Sequence, residues 1–173
     1  MITRLLLILA LIVIAAPLCA AQEEHWQKFT APDKSCTLTF PIAPNQQDAG
    51  KDTESGRVAT TLWLAKDSGT VYLLGITDYP IDVDATQELG LDRDNFLKAV
   101  KANLVSDHPT TLHGLTGLEF VGTSTEYTFR SRVFMIRRRV YQTVIGQPTA
   151  NVDAAIADKF LNSFELADVA INR

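Results

Sequence analysis

Two stretches of alternating side chains, each broken by a short polar segment, constrain this chain more than any other feature. Residues 57–65 and 70–79 flank Lys66-Asp67-Ser68-Gly69, with Gly69 where a hairpin needs a left-handed backbone. In the first arm Val58, Thr60, Leu62 and Leu64 share one face, while Ala59, Thr61, Trp63 and Ala65 share the other. Both faces are largely apolar, which predicts a central strand covered on both sides.

Residues 130–136 and 139–145 alternate in the same way around Arg137-Arg138. If those two residues make the turn, Ile136 opposes Arg139 and Phe134 opposes Tyr141. Arg130, Arg132 and Arg139 then share a face with Phe134 and Tyr141. The other face carries Phe129, Val133, Met135, Val140 and Val144 and reads as core.

Further elements surround these ribbons. Strands at 26–30 and 36–40 flank Ala31-Pro32-Asp33-Lys34, a turn sequence in which proline presets one backbone angle. A helix is predicted from an N-cap at Asp92, with Phe96, Leu97, Val100, Leu104 and Val105 as its apolar stripe, ending before Pro109. Strands follow from Thr110, punctuated by Gly114 and Gly117, and a second helix spans 152–162 with Ile156, Phe160 and Leu161 inward. Phe164 and Leu166 extend that contact. Hairpins dominate, so the fold class is α+β, an antiparallel β-sheet packed with helices. The 173 residues, 46% of them hydrophobic, suffice for one domain with a substantial core.

Residues 1–21 read as a secretory signal peptide. Arg4 supplies the charged start, 5–16 are twelve unbroken apolar residues, and Cys19-Ala20-Ala21 suits cleavage after Ala21. The apolar run is shorter than the ~20 residues a membrane span needs, although uncleaved it would anchor the chain at a membrane. A lipid-modified Cys19 would need a small residue before it, where Leu18 stands. The remaining domain, 22–173, is therefore expected to be secreted or periplasmic. Within it Cys36 has no second cysteine and no flanking base, and reads as a small buried apolar residue.

Several segments resemble the PsbP-like fold family, which includes an extrinsic photosystem II subunit, a nuclear Ran-binding factor and exported bacterial proteins of unknown role. Trp26-Gln27-Lys28-Phe29-Thr30-Ala31-Pro32-Asp33 with Leu38-Thr39-Phe40-Pro41 is similar to its first hairpin. Gly114-Leu115-Thr116-Gly117-Leu118-Glu119 is similar to its paired-glycine strand entry, Arg139-Val140-Tyr141-Gln142 to its penultimate strand, and Phe160-Leu161-Asn162-Ser163-Phe164 to its last helix. The resemblance covers about residues 26–166 and implies a PsbP-like α/β/α sandwich. Its positions build structure and carry over no cofactor residue. Arg137-Arg138 departs from the pattern, because such proteins hold glycine or a small polar residue there. Arginine disfavours positive backbone angles, which leaves a longer or irregular turn as the alternative.

The residues offer little catalytic chemistry. His25, His108 and His113 form no metal-ligand pattern, and His108, before Pro109, reads as an exposed loop residue. Asp78, Asp82, Asp84, Glu88, Asp92 and Asp94 crowd one stretch, but no glycine stands sixth after Asp82 and Arg93 stands twelfth, unlike a calcium loop. Neither a nucleophile elbow nor a phosphate-cradling loop occurs. No cofactor is expected. The net charge of −4 argues against a nucleic-acid partner.

Arg130, Arg132, Phe134, Arg139 and Tyr141 are the candidate binding residues, since arginines beside aromatics suit an anionic small molecule or a partner protein's carboxylates. Internal pairing with acids such as Glu119 and Glu126 is the competing reading. The chain is thus read as an exported non-catalytic binding or accessory module of unknown ligand. The alternatives are a small hydrolase-type enzyme with a site assembled only in space, and a structural protein anchored in the envelope.

Overall fold

The computed structural model describes residues 26–167; the signal-like segment lies outside them. Strands β1 (Gln27–Thr30) and β2 (Cys36–Phe40) form a hairpin, and β11 (Glu165–Leu166) pairs with β2 to complete a small antiparallel sheet. The main sheet contains β3 (Asn45–Asp48), β4 (Lys51–Thr53), β5 (Gly56–Asp67), β6 (Thr70–Asp78), β7 (Asn103–Leu112), β8 (Leu115–Thr123), β9 (Tyr127–Ile136) and β10 (Arg139–Pro148). Its order is β3-β5-β6-β10-β9-β8-β7, with β4 also on β5, and every pairing is antiparallel. The two alternating ribbons are therefore one sheet, joined where β10 returns beside β6.

Turn chemistry sets the register. Ser68 and Gly69 both take positive φ, 48° and 84°, in a two-residue connection, so Asp67 opposes Thr70. The arginine turn is equally short. Ile136 pairs with Arg139 and Phe134 with Tyr141, and Arg137 accepts a φ of 54°. Cross-strand packing on both faces of β9 and β10 overrides arginine's local preference.

Each face of the sheet has its own core. On one face Trp63, Tyr72, Leu74, Ile76, Phe134, Tyr141 and Ile145 pack against the small sheet and helix α2 (Ala154–Asn162), through Leu38, Phe40, Phe160 and Phe164. On the other, Phe120, Val133, Met135 and Val140 pack against Leu89 and Leu97 of α1 (Ala85–Ala99). Of the expected inward positions of α2, Phe160 and Leu161 are buried and Ile156 is half-buried, while Phe164 and Leu166 beyond the helix are buried. Cys36 is buried too, which pushes its thiol up to about 12 and leaves it unreactive. Gly117 is dictated by packing, since a Cβ there would sit 2.4 Å from the Phe134 ring.

Some expectations are corrected. The α/β/α layering is realised only in part: the fold is sheet-dominated, and α2 shares its layer with the small sheet. In β5 only Trp63 and Ala65 are buried, while Val58, Leu62 and Leu64 are half-covered because α1 reaches β7, β8 and β9 instead. The first helix starts at Asp84, whose carboxylate accepts from Gln87 N, eight residues before the expected cap. Begun early, it also ends early: Lys101 turns left-handed, φ 53°, and Leu104 and Val105 enter strand β7 exposed. His108 lies in this edge strand, exposed but not in a loop.

Asp92 instead falls within α1, between Leu89 and Phe96 on the stripe that meets the sheet. Burial, with Glu88 one turn away, pushes its carboxyl up to about 7. Glu88 meanwhile accepts a hydrogen bond from Tyr79 Oη. A raised carboxyl favours the folded state below its ordinary pKa and loses that contribution as pH rises through its folded value. The protein should therefore lose stability between about pH 4 and pH 7. Asp92→Asn should lack this contribution to the fall in urea denaturation and be more stable than wild type at about pH 8.

Candidate functional site

Helix α2 packs over β9 and β10, and its repeat matches that of β9. Two residues of strand advance about 6.6 Å, and four residues of helix about 6 Å. Arg130 Nη1 thus donates to Asp158 Oδ1 at 2.6 Å, and Arg132 Nη1 to Asn162 Oδ1 at 2.8 Å, one helical turn on. Two residues further along the strand, Phe134 stacks on Phe164, just past the helix, with centroids 6.0 Å apart and planes 6° apart.

Beneath this contact Glu119 serves both arginines. Arg130 Nε donates to its Oε1 at 2.8 Å and Arg132 Nε to its Oε2 at 2.6 Å. The Glu119 side chain is 8% exposed. Burial alone would raise its pKa, but the hydrogen bonds and charges of Arg132 and Arg130 outweigh this and hold the carboxyl below its ordinary range. Arg132 is Glu119's cross-strand partner, and Arg130 reaches it diagonally.

Arg139 is treated differently. Its Nε and Nη2 grip the cross-strand carboxylate of Asp78 at 2.5 and 2.7 Å, and its Nη1 donates to Asp33 in the β1–β2 turn. These bonds, Asp78's first, raise the guanidinium pKa further. At Asp33 burial is outweighed by Ser35 and Arg139, and its pKa is lowered.

The expected face therefore exists as one face, but it is not the open contact surface expected of it. Phe134 and Tyr141 are 3% and 1% exposed because the small sheet and Phe164 cover them. The partners of the arginines are Glu119, Asp158, Asn162, Asp78 and Asp33; Glu126 makes no ion pair with them. Only Glu119 was legible beforehand. Asp158 and Asn162, spaced by four on a helix, were the signal available for the rest.

Two clefts open where the covering layer stops. One, about 240 Å³, is lined by Asp33, Gln46, Thr61, Trp63, Asp78 and Arg139. The other, about 160 Å³, lies between β7 and α2, with Thr110, Arg132, Phe134, Leu161, Asn162 and Phe164 among its walls. Charge separates them. Arg139 faces two carboxylates, leaving its cleft net negative. Arg132 shares one carboxylate with Arg130, and its other partner is a neutral amide. Three of its five N–H groups have no acceptor among the described residues.

The comparisons bear on fold. No family model and no curated sequence matches the chain. The solution structure of cyanobacterial PsbP (CyanoP) from Synechocystis sp. PCC 6803 matches with a TM-score of 0.59, covering 88% of this chain and 99% of that one at 11% identity. The chain has the PsbP-like fold. A Bacteroides thetaiotaomicron structure overlaps more loosely, with a TM-score of 0.38, 16% identity and coverage of 82% of this chain and 48% of that one.

Glu119 keeps two guanidinium groups compensated within the PsbP-like fold. Glu119→Gln should cost about 3 kcal/mol in urea denaturation at low salt, the lower end of the range for a broken buried pair, because the arginines still touch water.

Proposed function

We propose that this chain is an exported, non-catalytic binding or accessory module, and that its contact with an anionic partner is made at the Arg132 cleft. One observation carries the reading: among the three arginines of this face, Arg132 keeps a surplus of positive charge and unused donors at the wall of a cleft. The PsbP-like fold supports an accessory role, and the signal-like residues 1–21 support export. The candidate set thereby narrows. Arg132 is the contact residue, Phe134 is cleft wall, and Arg130, Arg139 and Tyr141 hold the architecture.

Arg132→Met removes the charge, keeps the aliphatic stem and leaves Glu119 paired with Arg130. Capture of partners from the native envelope, compared between wild type and this variant at matched folding by circular dichroism, should fall at least tenfold for any specific partner. Capture unchanged by Arg132→Met would overturn the reading.

A further inference from the structure

Resting on that reading, we propose that the Arg132 cleft takes the carboxylate end of a ligand carrying a short apolar group. Its donors and its floor ask for different things. The donors left over are Nη2 and the second N–H of Nη1 on Arg132, and the Asn162 amide NH2, whose oxygen is already held by Arg132. A planar guanidinium edge with parallel N–H groups matches a carboxylate. An ammonium would find no carboxylate left over, because Glu119 is committed to Arg130 and Arg132.

Charge and size set the anion's class. The surplus at Arg132 is less than one unit, since Glu119 is shared and Asp158 lies on the far side of Arg130. That suits a monoanion better than a doubly charged phosphate, which is normally met by several cations or a row of backbone N–H groups. The floor is apolar, formed by the parallel Phe134 and Phe164 rings with Leu161 and Leu112. About 160 Å³ is well below the ~300–1,000 Å³ of pockets for drug-sized molecules. The occupant is a small acid, or the last residue of a chain ending in an apolar side chain.

The test is an NMR titration of the purified, 15N-labelled chain at constant ionic strength. Sodium butyrate should shift the Asn162 side-chain NH2 and the amides of Leu112, Phe134 and Phe164 saturably, at about millimolar affinity as befits so few contact atoms. Butylammonium chloride and inorganic phosphate should not. The peptide acetyl-Gly-Gly-Leu, compared with its C-terminal amide, separates the sources. Shifts from the free acid alone, with none from butyrate, assign a chain terminus; shifts from butyrate alone assign a free small acid.

Thr110→Leu fills the rim without touching Glu119's network and should abolish the shifts while the rest of the spectrum persists. Equal response to phosphate or butylammonium, no saturation by either carboxylate, or shifts that survive Thr110→Leu would overturn the proposal. If both carboxylates fail while envelope capture still depends on Arg132, the carboxylate class falls and the binding-module reading stands.

Discussion

The sharing of Glu119 between Arg130 and Arg132 is the interaction on which the arrangement of this face depends. A carboxylate this deeply covered is costly unless its charge is met and its oxygens are bonded. Both conditions are satisfied by side chains from one strand. Once oriented by Glu119, the two guanidiniums project toward α2 and find Asp158 and Asn162 one turn apart. The helix is thereby aligned with β9, and its exit places Phe164 on Phe134. A polar network thus aligns an interface whose stability comes chiefly from Phe40, Phe160, Tyr72 and their neighbours.

The same logic explains why two similar clefts differ. Each lies where the small sheet and α2 fail to reach the margin of a broader sheet, and each has one arginine of the shared face at its wall. Asp78 sits directly across from Arg139, and the β1–β2 turn brings Asp33, so that arginine is overmatched. It serves to tie the small sheet to the main one. Arg132 receives half a carboxylate and an amide, the least charge compensation of the three. Function at such a face turns on the balance of charge around each guanidinium rather than on the number of arginines.

Much of this architecture was legible in the sequence. Alternation located the two ribbons, and pairing Phe134 with Tyr141 across Arg137-Arg138 proved correct although the turn residues disfavour it. Packing outvoted local preference there. The first helix was misread for a related reason. Asp84-Ala85-Thr86-Gln87 has the pattern of a helix start, but Asp92 stands nearer the apolar stripe, so the later residue looked like the cap. Leu104 and Val105 continue a helical spacing that ends in fact at a left-handed Lys101. Which face of β9 and β10 lay open was not legible, because the covering layer comes from segments distant in sequence. The partners of Arg139 depend on the pairing of β10 with β6, a contact between residues about sixty apart.

Titration of the Glu119 carboxyl carbon by NMR tests the central claim most directly. A carboxylate shared by two guanidiniums should titrate below the ordinary 4.5 and move upward in Arg132→Met. A midpoint at or above 4.5 in the wild type, unmoved by that substitution, would mean that burial outweighs the arginines and that Glu119 does not organise this face.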